Sequence, residues 1–102
     1  MKISEHIYIN KRIRWKSKLK LDITTGNYPP KLYFLCTSPY HDKNFEIIQG
    51  KYMHEHYKSV YLVGIAKDKE TLINNLVELI DLLYNKKTIT YEMLQNEQRG
   101  EK

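Results

Sequence analysis

Basic and apolar residues alternate through the first part of the chain. Even positions 12 to 20 read Arg12, Arg14, Lys16, Lys18 and Lys20. Odd positions 13 to 23 read Ile13, Trp15, Ser17, Leu19, Leu21 and Ile23. Period two predicts a half-buried strand within segment 4–20. The segment is long for one strand, so a bulge or bend is expected near Ser17. A basic N-terminal helix is the alternative. At 100° per residue Tyr8, Trp15, Leu19 and Ile23 cluster, but Ile7 and Leu21 fall opposite them.

Residues 24–30 (TTGNYPP) read as a loop, because a proline pair cannot continue a strand ladder. Lys31 to Thr37 is nearly continuous apolar sequence, as in a strand buried on both faces. A turn over residues 38–44 leads to a partner strand from Phe45 to Gln49, ended by Gly50. Lys51 to His56 has no clear pattern. Tyr57 to Ala66 holds a further buried strand, in which Gly64 allows a close approach or a bend.

Asp68 then caps a long helix, with Glu70 in its first turn and Lys86-Lys87 at its end. Leu72, Ile73, Leu76, Val77, Leu79, Ile80, Leu83 and Tyr84 form one broad apolar face, expected to cover a sheet. Asn74, Asn75, Glu78, Asp81 and Asn85 take the other. Leu82 projects among the polar residues and is therefore the candidate partner-binding position. Residues 88–95 suit a short helix capped by Thr90, or a short strand, and residues 96–102 a frayed tail.

These elements predict an α+β domain: an antiparallel sheet of three to four strands with a long C-terminal helix on one face. It spans residues 1–97, with a polar tail over 98–102. With a helical N-terminal segment the order becomes α-β-β-β-α, that of the double-stranded-RNA-binding fold; order alone assigns no function.

Length and charge narrow the function classes. The chain has 102 residues, 17 Lys and Arg, 12 Asp and Glu, and a net charge of +5. That length makes one domain with a modest core. A single Cys excludes an internal disulfide. No apolar run approaches the ~20 residues of a membrane span, and the N-terminus has no secretory h-region. The expected setting is the cytoplasm. Lys, Ile, Tyr and Asn supply 41 residues, all writable with AT-rich codons, so part of the Lys excess reflects base composition. The charge is also uneven: +6 over residues 1–51 and −1 over residues 52–102. On a strand, Arg12, Arg14, Lys16, Lys18 and Lys20 would form a row of roughly 27 Å that could track a phosphate backbone. A lysine-rich edge that deters aggregation explains the same pattern.

Catalytic chemistry finds little support. His54 and His56 would share one face of a strand, but a metal site needs further ligands. His6, His41, Glu46 or Cys36 could supply one, but nothing in the sequence fixes them nearby. Cys36 lies in an apolar strand without an adjacent base. Asp68, Glu70, Glu78 and Asp81 belong to the cap or solvent face of the helix. The single glycine of the 64–69 strand-to-helix junction is too few for a nucleotide loop. No cofactor is implied. The nine Tyr suit base stacking or protein contact equally.

The stretch YLVGIAKDKETLINNLVELIDLLYNKK, with LYFLCTS and FEIIQ before it, resembles small uncharacterised proteins of low-GC Gram-positive bacteria and their mobile elements. The resemblance covers residues 31–87 and carries no activity or site residue. Two functional expectations follow from the residues themselves. One is a non-enzymatic protein bound to nucleic acid through its basic stripe. The other is a protein-interaction module: a regulator, an inhibitor or a homodimer.

Overall fold

The structure, a computed structural model, describes residues 1–38 and 44–97. The expected loop positions 39–43 and tail positions 98–102 lie outside the described residues. Four strands are present: β1 (Lys2–Ile9), β2 (Tyr33–Thr37), β3 (Phe45–Gln49) and β4 (Tyr61–Ala66). Helix α1 (Ser17–Thr25) follows β1. Helices α2 (Lys69–Tyr84) and α3 (Tyr91–Leu94) follow β4, and two 3-10 turns, Gly50–Tyr52 and Glu55–Tyr57, separate β3 from β4. The domain is α+β, as the patterning predicts.

Segment 4–20 is neither one strand nor one helix. The strand stops at Ile9, a loop carries Ile13 and Trp15 inward, and a helix begins at Ser17. The alternation misleads because Trp15, Leu19 and Ile23 are four apart. That spacing satisfies period two and also one turn of helix. Leu21 decides between them: it is 60% exposed, on the outer side of α1, whereas a strand would bury it with Leu19 and Ile23. The α-β-β-β-α order does run from Ser17 to Tyr84, but β1 precedes it and joins the same sheet.

The sheet order is β1-β4-β2-β3. Strands β2 and β3 form the expected antiparallel hairpin, with Leu35 opposite Ile47. Strand β4 pairs antiparallel with the other side of β2, and β1 lies parallel beside β4. The β1–β4 register slips between Ile3 (opposite Leu62) and Tyr8 (opposite Gly64), so the middle of β1 bows away from its neighbour. The buried Ser4 hydroxyl accepts the His6 N–H inside this bow, at 3.1 Å.

Both faces of the sheet are covered. Phe34, Cys36, Leu62 and Ile65 pack towards Ile13, Trp15, Leu19, Ile23 and Tyr57. Leu35, Val63 and Ala66 pack towards Leu72, Leu79 and Leu94. Cys36 faces Leu62 but Leu35 faces Gly64, so Val63 is an extra residue in β4. This bulge turns Val63 and Gly64 both towards α2. A Cβ on Gly64 would stand 2.7 Å from Asn75 Oδ1 and 3.3 Å from a Leu72 methyl; the bare glycine lets α2 settle on the sheet. Gly50 has a similar role at the end of β3, where a Cβ would fall 2.0 Å from the Pro29 carbonyl oxygen.

Helix α2 starts as expected, with the Asp68 carboxylate accepting the Thr71 N–H at 2.8 Å. Its register on the sheet differs from the expected one. Leu72 and Leu79 are buried, each contributing about 1.5–3 kcal/mol of apolar burial. Asn75, placed by the pattern on the polar face, is half-buried, and its Oδ1 is enclosed without a hydrogen-bond partner. Helix α3 is capped by Thr90 Oγ1, which accepts the Met93 N–H at 3.1 Å. The following Asn96 is not frayed. It takes φ +59° and reaches the outer edge of β1.

Candidate interaction surfaces

Arg12, Arg14, Lys16, Lys18 and Lys20 are all exposed, but no strand aligns them. Arg12 and Arg14 lie in the loop after β1, Lys16 is the N-cap position of α1, and Lys18 and Lys20 stand within α1. Two residues apart on a helix, Lys18 and Lys20 point about 160° from one another. Lys18 pairs with Asp22 at 3.3 Å, and Lys20 Nζ lies 5.8 Å from the Trp15 ring centre. Arg12 lies near Asp68, whose carboxyl is held below its ordinary range, first by the Thr71 backbone N–H and hydroxyl and last by Arg12. The cations therefore form a scattered patch beside β1 and α1, not the expected straight row.

His54 and His56 are brought together in the second 3-10 turn, with ring centres 4.9 Å apart. His54 Nδ1 accepts the His56 N–H at 3.3 Å. Among the described residues no three His, Cys, Asp or Glu side chains form a metal-binding group. Glu46 accepts a hydrogen bond from the Tyr57 hydroxyl, and His41 lies outside the described residues. Cys36 is fully buried in β2. Burial pushes its thiol far above the usual range, and the S–H points to the Glu46 carbonyl at 3.7 Å.

The apolar surface of α2 lies where the pattern does not place it. Leu82 is half-buried. Ile73 (44%), Val77 (64%), Ile80 (41%) and Tyr84 (60%) are the exposed positions instead. Their spacing of four, three and four makes one continuous row on the helix. The residues around the helix fix the direction of this row. Asn75 lies over Gly64 of β4, and Thr71 lines a hollow with Asn10, Lys11 and Arg12, beyond the end of β1. On the opposite flank Lys69 lines a hollow with Tyr33, Ile47 and Gln49. The row follows Lys69 on that flank, so it looks out over β3.

Strand β3 is an edge of the sheet. The Gly50 N–H donates to the Leu32 carbonyl at 2.8 Å and the Ser38 N–H to that of Asn44 at 2.9 Å. With the register between them, these bonds turn the backbone groups of Glu46 and Ile48 inward to β2. The N–H and C=O groups of Phe45, Ile47 and Gln49 therefore point outward. Among the described residues no strand pairs with the outward groups of Phe45 and Ile47, whereas the carbonyl of Gln49 opens the 3-10 turn Gly50–Tyr52.

The α2 row had a sequence signal in its four-three-four spacing. The open edge had none, because the order of strands in a sheet is non-local. No family model matches the chain, and no curated protein or solved structure matches it. Among the described residues no helix is long and apolar enough to cross a membrane.

Proposed function

We propose that this chain is a small cytoplasmic binding protein that acts through protein–protein contact on its α2–β3 side and has no catalytic role. The observation that carries this reading is the exposed row Ile73, Val77, Ile80 and Tyr84. Four large apolar side chains in a line on one helix mark a contact surface more strongly than the same residues scattered. This reading replaces Leu82 by that row as the partner-facing part of α2. The test is a photo-crosslinker in the intact chain: Val77→p-benzoylphenylalanine should give a protein adduct in cells, and Thr24→p-benzoylphenylalanine on α1 should not. Absence of any adduct at position 77 overturns the reading.

A second reading, contact with nucleic acid, is favoured by the six exposed cations between Lys11 and Lys20, a stretch without an acid. Its test is retention on a polyanion column against salt. Replacing Arg12, Arg14, Lys16, Lys18 and Lys20 by Gln should abolish retention; unchanged retention overturns it.

A further inference from the structure

We infer that residues 88–97 form a latch over the β1 edge, and that its opening uncovers a site for an extended acidic segment of another protein, paired parallel to β1. This site lies at the edge of the sheet remote from β3 and is independent of the α2 row.

The hydrogen bonds of Asn96 carry the inference. On the inner side of β1, the Lys2 N–H donates to the Val60 carbonyl at 2.9 Å. Backbone groups alternate in direction along a strand, so those of Ile3 and Glu5 point outward. There Asn96 Nδ2 donates to the Ile3 carbonyl at 3.0 Å, and Asn96 Oδ1 accepts the Glu5 N–H at 2.7 Å. A residue of a parallel neighbour makes this same pair of bonds. It gives an N–H to one residue and takes an N–H from the residue two further on. An antiparallel neighbour would exchange both bonds with a single residue. The Asn96 carboxamide thus holds the place of one residue of a parallel strand, opposite Ser4. Charge or a bulge is enough to blunt an edge; neither needs this match.

The segment that brings Asn96 there is lightly held. Helix α3 is one turn long, and Leu94 is the only buried residue between Thr88 and Glu97. Asn96 itself is exposed, so water competes for both of its bonds. The segment leaves α2 at Lys87, whose φ of +55° lies in the left-handed region. A hollow of about 260 Å³, lined by Tyr84, Ile89 and Tyr91, separates it from the end of α2. The segment can therefore release as a unit while the four strands stay paired.

Charge selects the class of occupant. A segment parallel to β1 and in register at Ser4 runs towards Lys11. Residues 11–20 hold six exposed cations and no acid. Lys18 pairs with Asp22 and Arg12 lies near Asp68, but among the described residues no acid pairs with Lys11, Arg14 or Lys16. The later residues of the occupant meet this positive surface, which favours acids. Main-chain bonds to one strand supply the affinity, so the contact is a modest one.

Hydrogen exchange and peptide titration of the full chain, read by amide NMR, test both halves. The Glu5 amide should exchange together with those of Leu94 and Gln95, through an opening that depends weakly on denaturant. The Leu35 amide should be about tenfold slower or more, with full denaturant dependence. A Glu5 amide that matches Leu35 in both respects overturns the latch. Thr90 caps α3 and makes no hydrogen bond to β1, so Thr90→Ala should speed Glu5 exchange about fivefold only if the latch opens as a unit. Unchanged Glu5 exchange in that variant also overturns it. The probe for the site is a seven-residue peptide of alternating threonine and valine that ends in two glutamates. It should shift the Ile3 and Glu5 amides. Thr90→Ala should bind it more tightly by the same factor as its Glu5 exchange rises, because both pass through the open state. Asn96→Ala, without the competing amide, should also bind it more tightly than the wild type. A peptide that leaves the β1 amides unmoved, or binds the wild type and both variants equally, overturns the site. A peptide ending in two lysines that binds as well as the acidic one overturns the choice of occupant.

Discussion

The two edges of this sheet are finished differently. At the β1 edge, Asn96 stands in for a neighbouring strand. Its Oδ1 accepts the Glu5 N–H at 2.7 Å, and its Nδ2 donates to the Ile3 carbonyl at 3.0 Å. Lys2, Glu5 and His6 are exposed along that strand, and its ladder bows in the middle. These are the devices by which an edge is kept from pairing with another chain. The β3 edge has a regular ladder, neutral outward residues and a row of apolar side chains overhead. Three devices guard the β1 edge, whereas the described ladder of β3 is regular.

The sharpest way to break this contrast is Gly50→Ala. A Cβ would collide with the Pro29 backbone, which cannot rotate aside as a side chain would. The loss should be about 3 kcal/mol in a denaturant melt. A loss below about 1 kcal/mol would show that the end of β3 yields and that its edge is not preformed. Asn96→Ala comes next. Two hydrogen bonds to the β1 backbone are lost, costing about 1–2 kcal/mol. The variant should also aggregate with rising concentration, because the β1 edge is then open. Unchanged stability and solubility would show that Asn96 does not guard that edge.

Acid should act on the start of α2, on the flank facing β1. The Asp68 carboxyl is held below its ordinary value of 3.8 by the Thr71 N–H and hydroxyl. Its cap is therefore complete above that value and is lost as the pH falls below it. The Thr71 amide should lose exchange protection over that range, while the inward amides of Glu46 and Ile48 keep theirs. A pH-independent Thr71 amide would remove the cap as a stabilising contact. The smallest effect belongs to Val77→Ser. It should change stability by no more than about 0.5 kcal/mol, since Val77 is exposed and belongs to neither core cluster. A larger loss would mean that the row belongs to the fold and not to a surface.

The fold class was legible because the strongest runs, residues 31–37, 45–49 and 60–66, are long, apolar and bounded by turns. The cap at Asp68 was legible because the residue type and its position carry the chemistry. Helix α1 was not, since Trp15, Leu19 and Ile23 suit two periods at once. The seating of α2 was misread for another reason. Nine of the 16 residues between Lys69 and Tyr84 are apolar, more than one sheet-facing surface can hold. The pattern cannot say which of them are left over. The sheet resolves it by seating Leu72 and Asn75 against Gly64, burying Leu79 and turning Val77 out. The basic alternation was legible as charge but not as shape, because a loop and a helix scatter what a strand would align. Asn96 carried no signal: its role is set by β1, at the other end of the chain.

The burial of Cys36 has a practical consequence. It sits in β2 with a neighbouring strand on each side, carries no exposed surface, and burial holds its thiol in the unreactive protonated form. A thiol reagent can reach it only when the centre of the sheet comes apart. The chain thus contains its own clock: the rate of Cys36 labelling in native buffer counts openings of the sheet.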